Sequence, residues 1–299
     1  MGGSAGFDDE TAAVLRVVLY FDIFRHPLRL SEVSWMARTD EPTIRRAVET
    51  GLVEEASGFV FRSGKIADIR RRRERAAHAE RLWPAAMAAA RILARVPFVR
   101  GVLLTGGLAK QSSEPGGDAD FLLLIEPGCV WSTKSALQVV RRALPESLRR
   151  LFCTNYLLST DALLLDDQDV FTAFELATAL PLSGSVCGDL VRANPWARRW
   201  IPGLDHAVLR GEAAPGGRAS VSPWAPLARA LDTRLQQRWN TLWDRKYDWL
   251  DEETRARRFK RTPDRATNHL HDFRGYVIDA YRERCLSEGL DPLQGPLDG

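Results

Sequence analysis

The chain has 299 residues, 45% hydrophobic and 27% charged, with a formal net charge of +3. That length admits about two domains with a sizeable core, and no apolar run approaches the roughly 18 residues that cross a bilayer, so a soluble cytoplasmic protein without a membrane partner is expected. The 42 basic residues are 37 arginines and five lysines, a mild excess that by itself selects no partner.

The first residues, MGGSAGFDDETAAVLRVVLY, are acidic where a secretory signal would be basic. Apolar residues from Ala12 to Ile23 recur at three and four, which predicts a helix over Asp8–Phe24 that ends before His26-Pro27. Ser31 is the expected N-cap of a second helix; Asp40, with Pro42 in the first turn and Gly51 just past the end, frames a third. Two short strands around Ser57-Gly58 give a hairpin. Three helices and a hairpin predict a winged helix-turn-helix over residues 8–64. Its third helix either reads DNA through Thr43, Arg45 and Arg46 or serves packing, and Asp40, Glu41 and Glu49 beside the arginines favour packing.

Residues 66–97 predict two helices meeting near Pro84, the first carrying the run Arg70–Arg73 with Arg75. Such a run is either a solvated face or a patch for a polyanion. FVRGVLLTG and DADFLLLIE read as buried strands, VWSTKSALQVVRRALPESLRRLF as an amphipathic helix, FCTNYLLS as a further strand and TAFELATALPLSG as a helix. GEAAPGGRASVSPWAP predicts a linker, and residues 225–290 a mostly helical region anchored by Trp239, Trp243 and Trp249. The expected fold is α+β: the winged helix, a central mixed sheet with helices over 65–210, and a linker and C-terminal helical region over 211–299. The four cysteines, at 129, 153, 187 and 285, form no CxxC pair, so neither a zinc site nor a disulfide framework is expected.

The chemistry gathers in TGGLAKQSSEPGGDAD. Gly106 and Gly107, at a strand end, let backbone N–H groups approach a phosphate that a Cβ would hold off. Asp118 and Asp120, two apart at the start of the next strand, share a face. Carboxylates beside a phosphate cradle suit Mg²⁺.

Gly106-Gly107, ten residues, then Asp118-Ala119-Asp120 between apolar strands resembles the signature of DNA polymerase beta-type nucleotidyltransferases. The wider pattern of YFDIFRHPL, VPFVRGVLLTGGLA, CTNYLLS and NPW is similar to bacterial nucleotidyltransferase-domain proteins. The resemblance implies a mixed-sheet nucleotidyltransferase domain and transfer of a nucleoside monophosphate from an NTP, with ATP expected, to a small-molecule or protein acceptor. It also implies Mg²⁺ or Mn²⁺ on Asp118 and Asp120. No long basic groove with interleaved aromatics is evident in the sequence, so a nucleic-acid acceptor is not favoured.

The family places a third acid on a later strand, where this chain has Asn155. An amide carbonyl can ligate but cannot take a proton, so Asp161 on the turn beyond and Glu175 on the following helix are the candidate substitutes, with Glu175 preferred as catalytic. Many relatives carry serine where this chain has Gly107. Backbone donors, Lys110, Ser112 and Ser113 are then the expected phosphate partners, Lys110 reading otherwise as an exposed helix lysine. Two other readings stay open: a nucleotide-binding module that has lost its chemistry, and a nucleotide-sensing DNA-binding regulator. The pair His269/His271 offers a further metal spacing only if that segment is extended.

Overall fold

Asp8 and Asp40 cap helices in the same way, a carboxylate oxygen accepting from the amide three residues on, Thr11 at 2.8 Å and Thr43 at 3.0 Å. They open α1 (Asp9–Asp22) and α3 (Glu41–Glu49). The computed structural model describes residues 7–146, 149, 153–212, 222–268 and 273–293. Between the two capped helices lie β1 (Leu28–Arg29) and α2 (Leu30–Ala37). The second helix starts before the expected cap: Arg29 holds the N-cap position, its amide donating to Glu32 at 2.7 Å, and Ser31 lies inside. β2 (Val53–Ala56) and β3 (Phe59–Arg62) pair across Ser57 and Gly58, whose φ values of 54° and 76° suit a two-residue hairpin loop. β1 adds to β3, giving the order β1-β3-β2.

The first helix is buried on nearly every side, from Val14 to Phe21. A helix apolar all round needs neighbours all round. It packs on α2, α3 and β3, and also on α12 (Phe273–Ser287) near the chain's end. Tyr20 stacks on Phe174 with centroids 3.8 Å apart, so this face of α1 belongs to the same core as the central sheet.

That sheet has six strands, in the order β7 (Leu180–Ser183), β4 (Val99–Thr105), β5 (Asp120–Ile125), β6 (Cys153–Ser159), β9 (Arg265–Thr267) and β8 (Arg261–Thr262). Only β5 and β6 run parallel; the other neighbours are antiparallel. The molecule is therefore α+β with a mixed sheet. Alternating side chains serve two cores. Leu103, Leu124 and Leu158 face α1, α7 (Val170–Thr178), α8 (Val186–Arg192) and α9 (Asp205–Glu212). Val102, Leu104, Phe121, Leu123 and Leu157 face the C-terminal half of α4 (Asp68–Leu93), α6 (Val130–Ala143) and α10 (Ala225–Lys246).

Several expectations change. The two helices expected around Pro84 are one, α4, which runs through the proline. A mid-helix proline costs about 3 kcal/mol, offset here by alanines with high helix propensity and by Ala86, Ala89, Ala90 and Leu93 buried against the sheet. Leu180–Ser183, expected as helix, is an edge strand, a place where Pro181 is tolerated. The C-terminal region is mostly helical as expected, and it also supplies the β8–β9 hairpin beside a short helix, α11 (Glu252–Arg258). Trp243 is buried against Trp131 at 5.9 Å, whereas Trp249 is 67% exposed and anchors nothing. The helix from Val130 stops at Ala143, before Pro145. Phe152, the pair His269/His271 and linker residues 213–221 lie outside the described residues. Among those described, no helix is long and apolar enough to cross a membrane.

Candidate functional site

Strand β4 ends at Thr105, opposite Asp120 in the antiparallel register, and the one-turn helix α5 (Gly106–Ala109) follows at once. Gly106 has φ 70°, and a Cβ there would stand 2.5 Å from Asp120 Oδ2. The positive φ favours glycine at this turn, over which the half-buried Asp120 carboxylate lies. A Cβ on Gly107 would stand 2.5 Å from the Ser112 carbonyl, which lies close because the Ser112 amide donates back to Gly107 O at 2.8 Å. The loop is thus too tight at Gly107 to hold a serine side chain without moving.

Asp118, Asp120 and Cys153 bring one ligand atom each within 4.8 Å of one another, the group of this kind found among the described residues. Asp118 is exposed, and the other two are half-buried. Burial pushes the Asp120 carboxyl up to about 6, and the nearby Asp118 charge adds to the shift. Burial also drives the Cys153 thiol far above its usual range, the two aspartates reinforcing it. A protonated thiol donates weakly to the carboxylates and is a poor partner for a hard cation. The aspartates fit Mg²⁺ or Mn²⁺; Cys153 supports them.

Cys153 was not among the expected site residues. Counting alternate positions back from Leu158 puts it on the opposite face, but a register shift between Asp120/Leu122 and Cys153/Tyr156 brings it beside Asp120. Asn155, expected as an oxygen ligand, presents its amide nitrogen to Asp120 Oδ1 at 3.1 Å. In this arrangement it holds the aspartate. Asp161 is exposed, past the far end of β6 and bonded to the Ser159 hydroxyl. Six residues of strand put it roughly 20 Å along the sheet from Cys153.

Glu175 is at the turn. Its Oε2 accepts from the Gly106 amide at 3.1 Å, and its Oε1 pairs with Lys110 Nζ at 2.6 Å. Lys110, whose side chain is 12% exposed, also donates to Gly106 O at 3.2 Å. The expected phosphate donors Gly106 N and Lys110 are thus both engaged by one carboxylate. Ser112 is half-buried; Ser113 is buried, its hydroxyl 3.5 Å from Glu114 O. Gly116 has φ 81° and open space around it, as a turn residue should. All four cysteines are free.

No family model, no curated protein and no solved structure matches this chain, so the geometry stands by itself.

Proposed function

We propose that the chain is a Mg²⁺- or Mn²⁺-dependent nucleotidyltransferase of the polymerase beta type, moving a nucleoside monophosphate from an NTP, ATP being the expected one, to an acceptor nucleophile with release of pyrophosphate. The single observation that carries this reading is the convergence of Asp118 and Asp120 beside the Gly106-Gly107 turn, with Asp120 kept at an elevated pKa by burial and by its neighbour. Two crowded carboxylates gain when a cation comes between them. A divalent ion held by Asp118 and Asp120 would neutralise phosphate charge and acidify the attacking hydroxyl.

The chain's own groups would do the positioning. Lys110 supplies a positive charge that Glu175 now holds, and Asn155 with Cys153 fixes the Asp120 carboxylate by hydrogen bonds. Glu175 is then a positioning acid, outside the Asp118–Asp120–Cys153 group. The N-terminal unit is read as a winged helix used for packing: Arg45 pairs with Glu41, and Arg46 with Glu10 at 3.3 Å, which leaves α3 little charge for phosphates. That argues against the DNA-binding regulator.

One observation favours a second reading, a nucleotide-binding module without turnover: the third position is an amide turned toward Asp120. Pyrophosphate release separates the two. With NTP, Mg²⁺ or Mn²⁺ and a panel of acceptors, the enzyme reading expects release that Asp118→Asn abolishes. Metal-dependent nucleotide binding with no release from any acceptor supports the module.

A further inference from the structure

The arginine run of α4 is more than a solvated face. Ala67 just before the helix, and Arg70, Arg71, Glu74, Arg75, His78 and Arg81 on it, recur at three and four and line one side of a groove of about 590 Å³. Ser113, Glu114 and Pro115, from the loop that leads into Asp118, form the opposite wall, with Arg25 beside them. From residue 67 to 81 the stripe runs about 21 Å at the helical rise, longer than one triphosphate needs. Five arginines and a histidine face two glutamates there. Glu114 holds Arg71 at 3.1 Å and Arg75 at 2.5 Å, Arg70 reaches Glu74 only at 3.7 Å, and Arg25 pairs with Asp68. No ion pair reaches Arg81 among the described residues.

A second feature adjoins this groove at Arg75. Arg75 Nη1 donates to Phe24 O at 2.8 Å, the Phe24 ring lies 5.9 Å from Phe273, and Phe273 lies 6.2 Å from Tyr276 and 6.3 Å from Phe171. Phe273 and Tyr276 are neighbours, 50% and 60% exposed, so two adjacent rings are open to solvent beside the groove. Glu175, which holds Gly106 N and Lys110, is one helical turn beyond Phe171 on α7. The basic groove thus borders an aromatic pair, through Arg75 and Phe24, and also the loop that leads into Asp118.

We propose that this tract binds a single-stranded nucleic acid, its phosphates along the α4 arginines and its bases on Phe273 and Tyr276, so that a strand end is brought toward Asp118 and Asp120. Guanidinium forks match phosphate oxygens, and rings that stack on any base add sequence-tolerant affinity. A flat bilayer cannot enter a concave groove, and an acidic peptide has no use for the exposed rings. The site rests on the nucleotidyltransferase reading only for the fate of the strand end, because binding needs neither metal nor NTP.

The test is fluorescence anisotropy of the full chain with a fluorescein-labelled twelve-nucleotide oligouridine, without NTP, across a salt series. The expected result is salt-sensitive binding. Arg70→Glu with Arg81→Glu weakens it at least tenfold and flattens the log–log salt slope by about 1.4, the effect of two lost phosphate contacts. Phe273→Ala with Tyr276→Ala weakens it about tenfold and leaves the slope unchanged. Asp118→Asn/Asp120→Asn binds as the parent does, so loss of turnover in that variant bears on the enzyme reading alone. Preference for duplex DNA, unchanged binding in both groove and ring variants while circular dichroism shows them folded, or displacement by equimolar tripolyphosphate would each overturn the proposal; the last would leave a polyphosphate as the occupant.

Discussion

Lys110 Nζ lies 2.6 Å from Glu175 Oε1, joining the loop after β4 to a helix 65 positions away in sequence. Neither side chain is more than 25% exposed, so each needs the other. Glu175→Leu leaves the Gly106 amide without an acceptor and the lysine charge with only the Gly106 carbonyl, and a loss of about 1–3 kcal/mol is expected in urea denaturation. Lys110→Met in the Glu175→Leu background should recover part of that loss, because an apolar pair leaves no charge stranded. Equal, additive losses would mean the two residues do not act as a pair.

Replacing Gly107 with serine would introduce the hydroxyl that the nucleotidyltransferase resemblance implies at this position, and it is expected to harm this chain. The new Cβ would meet the Ser112 carbonyl at 2.5 Å, a backbone atom that can move only if the loop opens. Gly107→Ser should lower the melting temperature and weaken metal-dependent ATP binding. Tighter binding with unchanged stability would show that the loop is not set by this contact.

Asp120 contributes to stability with a definite sign. Its folded pKa, about 6, is above its unfolded value, so the stabilisation it gives is complete at low pH and is lost as pH rises through 6. At pH 7.5 its buried charge therefore costs stability, up to about 3 kcal/mol from a shift of this size. Asp120→Asn should be more stable than the parent at pH 7.5 without metal, and less so at pH 4. Mg²⁺ should raise the melting temperature of the parent only. A variant that is less stable at pH 7.5 would mean the carboxylate is held by favourable contacts that the Asp118 charge does not offset.

His26 acts in the opposite direction. Burial holds its pKa well below the ordinary value, and Arg72, Lys110 and Arg75 add to the effect. The folded state therefore binds fewer protons than the unfolded chain once pH drops below about 6.5, and stability falls by up to about 1.4 kcal/mol per pH unit. His26→Gln should flatten the fall between pH 6.5 and 5 measured by urea midpoints. An unchanged profile would assign the acid sensitivity to other groups.

How much of this was legible in the sequence depended on distance along the chain. The turn at Gly106-Gly107 and the pair Asp118/Asp120 are local, and spacing alone showed that they belong together. Glu175 was readable only as a candidate, because its partners, Gly106 and Lys110, are fixed by tertiary packing. Cys153 was hidden by the register shift that moves it to the face of Asp120, and no periodicity in CTNYLLS records such a shift. The strand Leu180–Ser183 follows a helix without a break in apolar character, where pattern cannot tell strand from helix. The hairpin of β8 and β9 is short and polar, and it became a strand pair only because β6 offered an edge. The arginines of α4 were visible as a run; that a loop closes over them was not.

The most direct measurement is calorimetric titration of ATP in the presence of Mn²⁺ or Mg²⁺ into the parent and into Asp118→Asn/Asp120→Asn, since it needs no knowledge of the acceptor. The predicted result is one metal-dependent nucleotide site in the parent that is lost in the folded double variant. A folded parent that binds no nucleotide with either metal, or a double variant that binds it as well as the parent does, would contradict the assignment of the two aspartates.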